Sequence, residues 1–87
     1  MTKFTVITPP YGNGDPVNAI TVTAESALDA HKKAETAWMT SHPNQFFQVN
    51  MIIAAHRGEV STVFIPKTVL GHRYPQYHGV LPVAILG

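Results

Sequence analysis

One stretch of helical periodicity, set between segments that alternate every second residue, constrains this chain more than any other feature. Ala27, Ala30, Ala34 and Ala37 recur at spacings of three, four and three, which places four small side chains on one side of a helix. Such a face lets a helix backbone lie close against a sheet, and Leu28 and Trp38 flank it to complete an expected core face. Thr23 or Ser26 can cap the helix start, with Glu25 or Asp29 in the first turn opposing the positive end of the dipole. The helix should run to about Thr40 and stop at Ser41-His42-Pro43-Asn44, because proline disfavours helical geometry in the residue before it. Asp29, Lys32, Lys33, Glu35 and Thr36 fall on the opposite, solvated side. Asp29 and Lys33 there form an i,i+4 pair worth about 0.2–0.5 kcal/mol.

On both sides of this helix the period is two. Residues 3–8 set Phe4 and Val6 against Thr5 and Ile7, and residues 17–23 place Ile20 and Val22 on a face that should meet Phe4 and Val6. Between them Pro9-Pro10-Tyr11-Gly12-Asn13-Gly14-Asp15-Pro16 reads as a long loop joining two antiparallel strands. From Phe46 the alternation resumes, with Phe47, Val49, Met51, Ile53 and Ala55 opposed to Phe46, Gln48, Asn50 and Ile52, and predicts the longest strand over 46–55. His56-Arg57-Gly58-Glu59 is a turn, residues 60–65 return as the partner strand, and Pro66 should stop it. Residues 67–78 show no period; 80–86 are strand-like but interrupted by Pro82, which points to an edge strand or an extended arm. The expected fold class is α+β: an antiparallel sheet of four to five strands with one helix packed on one face, in the order β-β-α-β-β with a possible C-terminal β. Residues 1–87 form a single domain, with 67–87 as a loop plus C-terminal extended arm.

Composition narrows the functional classes. The chain is 45% hydrophobic and only 13% charged, and a domain of this size buries only about 60–65% of the surface its unfolded form exposes. Self-association, a partner, or a monomer with a neutral surface accommodates that balance. From Tyr74 to Gly87 there is no Asp, Glu, Lys or Arg, and the apolar run 79–87 must be buried in the domain's own core or beneath a second chain. Six basic residues against five acidic ones, with only Lys32 and Lys33 adjacent, argue against direct nucleic-acid binding, which needs clustered cations to displace counterions. They also argue against an acidic DNA mimic. The lack of cysteine excludes disulfides and thiolate zinc sites. With no leader-like apolar segment and no run near the roughly 20 residues of a membrane span, the expectation is a cytoplasmic protein without a membrane partner.

Five histidines invite a metal reading, but His72 and His78 match no ligand spacing, and neither a metal nor another cofactor is expected. His31 should sit at the core edge bonded to a backbone carbonyl; His42 and His56 are turn residues. The carboxylates of Asp15, Glu25, Asp29, Glu35 and Glu59 suggest no convergent acid/base pair, and Gly12-Asn13-Gly14 lacks the lysine of a phosphate loop. No catalytic residues are assigned, and the chain is read as a non-enzyme. Tyrosine and arginine, by contrast, are enriched at protein–protein hot spots. Lys67, Arg73, Tyr74, Tyr77 and His78, with Tyr11 in the first loop, are therefore the candidate partner-binding residues. The competing reading packs the tyrosines over the sheet end and leaves Arg73 solvated.

The segment from Ile20 to His31, a strand running into an alanine-lined helix, resembles the strand-to-helix module of very small phage-encoded proteins, among them inhibitors of host RNA polymerase and anti-CRISPR proteins. Val63-Phe64-Ile65-Pro66-Lys67-Thr68-Val69 looks like the closing strand of small anti-CRISPRs directed at type I systems. The resemblance implies a stoichiometric inhibitor in the host cell cytoplasm, bound to a protein surface of a CRISPR effector or another host machine. Two alternatives are a homodimeric structural or assembly module that exchanges its C-terminal arm, and a small metal-dependent enzyme.

Overall fold

The computed structural model describes residues 2–9, 18–44, 46–56 and 59–80. Strands β1 (Thr2–Thr8) and β2 (Asn18–Ala24) are followed by helix α1 (Ala27–Ser41), then by β3 (Met51–His56), β4 (Glu59–Lys67) and β5 (Gln76–Val80). The strands form one antiparallel sheet in the order β2-β1-β3-β4-β5. Thus α1 carries the chain from the edge strand β2 across β1 to β3, and the expected α+β class with one helix on the sheet is what the chain forms.

Register decides which side meets the helix. Phe4 pairs with Val22 and Ala54, Val6 with Ile20 and Ile52, Ile52 with Phe64, and Phe64 with Gly79. These residues share one face with Tyr77, and the core assembles there from Phe4, Val6, Ala24, Ile52 and Ala54 against Ala27, Ala30, Ala34 and Trp38 of α1. The other face carries Ile7, Met51, Ile53, Val63 and Ile65 at alternate positions.

Ser26 is the helix cap: its hydroxyl accepts from the Asp29 N–H at 3.1 Å, while the Asp29 carboxylate accepts from the Glu25 N–H at 3.2 Å. Asp29 also pairs with Lys33 at 3.4 Å as expected. At the other end the His42 N–H bonds the Trp38 carbonyl at 2.9 Å, and the two rings stack at 3.8 Å just before Pro43. The buried stripe runs through Ala27, Ala30, His31, Ala34 and Trp38, whereas Leu28 and Ala37, expected in the core face, are exposed. At about 100° per residue they lie roughly 100° and 80°, respectively, off the centre of that stripe, on its shoulders.

The largest departure from the expected elements lies before β3. Residues 46–50 are not strand, so β3 is short and β4 is the longest element of the sheet. Continuing the β3–β4 register from Ile52↔Phe64 would set Asn50 opposite Pro66, whose nitrogen carries no hydrogen for the ladder. The alternation also breaks here, because Phe47 and Ile52 enter the same core although their positions differ in parity. Pro66 itself does not stop β4. It lies past the last β3 pairing, where β5 is its only neighbour and pairs it with Tyr77. The hairpin is as expected, with His56 paired to Glu59 and a bulge at Ser61, whose hydroxyl donates to the Ala54 carbonyl at 3.2 Å. Regular structure after β4 resumes at Gln76, earlier than the strand-like run at 80–86, most of which lies outside the described residues.

Candidate functional site

Where α1, the irregular segment 46–50 and the connection from β4 to β5 come together, the surface opens into a cleft of about 580 Å³. Three elements hold it. The helix contributes His31, Glu35 and Met39 on successive turns, an i,i+4 series along one face. The segment 46–50 lies outside the sheet ladder, tied to β1 by the Asn50 N–H on the Ile7 carbonyl at 2.7 Å. Its Phe47 turns into the core, and the neighbouring Phe46 is left 76% exposed at the cleft. The β4–β5 connection is set by a turn in which the His72 N–H bonds the Val69 carbonyl at 3.1 Å and Gly71 takes φ +83°. That is the third-position geometry of a type II turn, open to glycine without strain. The turn leaves Leu70 almost fully exposed at its tip and delivers His72, Arg73 and Tyr74 to the cleft.

At the cleft a polar chain links α1 to the β4–β5 connection and to β5. His31 is only 6% exposed, and its ring meets Phe47, Tyr74 and Tyr77 edge-on at centroid distances of 5.5, 5.2 and 5.9 Å. Nδ1 lies 2.5 Å from the Tyr77 hydroxyl, and Nε2 faces the Glu35 carboxylate at 3.9 Å. Glu35 Oε1 accepts from the Tyr74 hydroxyl at 3.2 Å and from Arg73 Nη2 at 3.4 Å. Burial holds the His31 pKa below the usual histidine value; Glu35 pulls it up, and the cations of Arg73 and Lys32 push it further down. Burial, reinforced by the charge of Glu35, pushes the Tyr77 phenol well above the ordinary tyrosine value. The network therefore consists of a neutral imidazole whose Nδ1 accepts from a neutral phenol while its Nε2–H points at a carboxylate. The Tyr77 hydroxyl meets Nδ1 of His31, and Glu35 Oε1 is held by Tyr74 and Arg73, so the chain orders the cleft wall.

Of the candidate partner-binding residues, Arg73 and Tyr74 line this cleft and Tyr77 supports it from β5, a strand where a loop was expected. His78 and Lys67 share the parity of Val63 and Ile65 and stand on the opposite face of the sheet. Tyr11 lies outside the described residues. His31 does sit in the core, but its partner is the Tyr77 hydroxyl instead of a backbone carbonyl. Glu35 is not simply solvated, being engaged by Arg73 and Tyr74. Glu35, Met39 and Phe46 are site residues that periodicity alone did not single out. Two signals pointed toward them: the i,i+4 spacing of His31 and Glu35, and the adjacent pair Phe46-Phe47, only one of which an alternating segment can bury. Among the described residues no three His, Cys, Asp or Glu side chains are placed to hold a metal ion, and no helix is long and apolar enough to cross a membrane.

Comparison with protein-family models, curated proteins and solved structures returned no match.

Proposed function

We propose that this chain is a non-catalytic binding protein that seats part of a protein partner in the cleft between α1, residues 46–50 and the β4–β5 connection. The observation that carries this reading is the exposure of Phe46 at 76% beside Arg73 and Tyr74, which Glu35 holds in place. An exposed aromatic next to a fixed arginine and tyrosine is the composition of an interface anchor. Exposed Met39 extends the apolar surface of the cleft. Ordering the rim before the partner arrives lowers the entropy lost on association.

The resemblance of the strand-to-helix module and closing strand to small phage inhibitors supports a finer version, in which the partner is a type I CRISPR surveillance complex or another host machine and binding blocks it. Expressed in a cell with an active type I system, the wild-type chain should restore infection by a targeted phage. A Phe46→Asp, Arg73→Glu double variant, folded by circular dichroism, should not. Full restoration by the double variant refutes the cleft as the binding site, and failure of the wild-type chain to restore infection refutes the CRISPR target.

A second reading has its own observation. Strand β5 is an edge of the sheet and contains neither a charged residue nor a proline, the devices that ordinarily blunt such edges. Pairing of β5 with its copy in a second chain would build a homodimer. Sedimentation of the full chain against a His78→Pro variant tests it: a dimer lost in the variant supports it, and a wild-type monomer at high concentration excludes it.

A further inference from the structure

We propose that the segment taken by this cleft is an acidic–hydrophobic peptide stretch, its carboxylate against Arg73 and Lys32 and its apolar neighbour on Phe46. The inference rests on the cleft being a protein-binding site and adds the chemistry of the partner. It begins from an imbalance of charge around Tyr74. Lys32 Nζ and Arg73 Cζ each lie 5.1 Å from the centre of that ring, so two cations are drawn to one aromatic ring. The carboxylate that meets Arg73 is Glu35, and it is drawn inward. Its Oε1 is shared by Arg73 and the Tyr74 hydroxyl, and its Oε2 faces His31.

Exposure separates the two signs. The Glu35 side chain is 22% exposed and that of Arg73 is 77% exposed, so the negative group is withdrawn and the guanidinium stands at the surface. Only one of its nitrogens engages Glu35, at 3.4 Å, and a guanidinium has five N–H donors in a fork that fits a second carboxylate. Lys32 forms no ion pair among the described residues and lies over the ring instead. The lip of the cleft thus presents positive charge beside an exposed phenylalanine. A carboxylate next to an apolar side chain satisfies both, whereas a basic segment would meet Arg73 and Lys32 in repulsion.

The test is selection of a displayed library of random dodecapeptides against the full chain, followed by titration of capped synthetic peptides of the recovered consensus. The expected consensus pairs Asp or Glu with a neighbouring Leu, Ile, Phe or Met. Its affinity should fall about tenfold in Arg73→Gln and further in the Lys32→Gln, Arg73→Gln double variant, the scale of one charge-assisted hydrogen bond. Changing the peptide's acid to its amide should cost the wild-type chain a similar factor and the double variant little. Both substitutions are at exposed positions, and circular dichroism checks that the fold is kept. Peptides that depend on Phe46 but show no acidic position, or are indifferent to Arg73→Gln, overturn the acidic partner and leave the cleft standing as a binding site. Recovery of no peptide whose binding is lost in Phe46→Asp overturns both.

Discussion

Removing the Tyr77 hydroxyl isolates the bond that ties β5 to the helix beneath the cleft. In Tyr77→Phe the ring stays in place while Nδ1 of His31, a residue only 6% exposed, loses its donor at 2.5 Å. A net hydrogen bond is worth about 0.5–1.5 kcal/mol, and leaving a buried acceptor unsatisfied costs about 1–3 kcal/mol, so the loss should fall near 1–3 kcal/mol. For a domain of this length that is a drop in Tm of about 4–8 °C per kcal/mol. Urea unfolding followed by Trp38 fluorescence reads it, since this is the chain's one tryptophan and it lies in the core stacked on His42 at 3.8 Å. The control is a double-mutant cycle with His31→Leu, which strands the Tyr77 hydroxyl instead. If the two groups satisfy each other, the double variant loses less than the sum of the single losses, with a coupling of about 1 kcal/mol or more. Additivity within about 0.3 kcal/mol, or a Tyr77→Phe variant as stable as the parent, would refute the latch.

The same pair gives the stability a pH signature at both ends. His31 has a depressed folded pKa, so as pH falls below about 6.5 the unfolded chain takes up a proton that the folded chain resists, and stability declines. Tyr77 has a raised one, so above about pH 10 the unfolded chain releases a proton that the folded chain keeps, and stability declines again. Urea midpoints across pH should show the acid slope reduced in His31→Leu and the alkaline slope reduced in Tyr77→Phe; slopes equal to the parent's contradict the assignment. Thr8 is fully buried and its hydroxyl has no hydrogen-bond partner among the described residues. Thr8→Val should therefore raise stability by about 1 kcal/mol in the same assay, and a loss of that size would mean the hydroxyl is satisfied. Gly79 lies where a Cβ would stand 3.1 Å from Thr62 Cγ2 and 3.3 Å from Phe64 Cε1. Since Phe64 packs on the core, Gly79→Ala should lower stability by about 1–3 kcal/mol, and an unchanged midpoint would show that the ring yields freely.

What was legible in the sequence is what local periodicity and capping encode. The alanine stripe through Ala27, Ala30 and Ala34, the cap at Ser26, one of the two candidates, the Asp29–Lys33 pair and the pairing of β3 with β4 each depend on neighbours within a few positions, and each is found in the structure. The cleft depends on contacts of much longer range: 38 positions separate Arg73 from Glu35, and 46 separate Tyr77 from His31. No period reports those. Residues 46–50 misled for a related reason, because their alternation is real but the strand opposite them places Pro66 where a donor is needed. Tyr77 shows the same limit. Aromatics and histidines over 72–78 carry no repeating pattern, yet β4 extends past Pro66 and supplies Gln76–Val80 with a partner, which makes them a strand.

The central claim, that the cleft rather than the sheet edge or the far face receives the partner, is tested most directly by amide chemical-shift mapping of the full chain during titration with a library-selected peptide. Saturable shifts should concentrate at residues 46–50, at 72–74 and at Glu35 and Met39, and all should be lost in Phe46→Asp. Saturable shifts concentrated instead along β2 or β5, or around Ile53 and Ile65 on the opposite face, would contradict it.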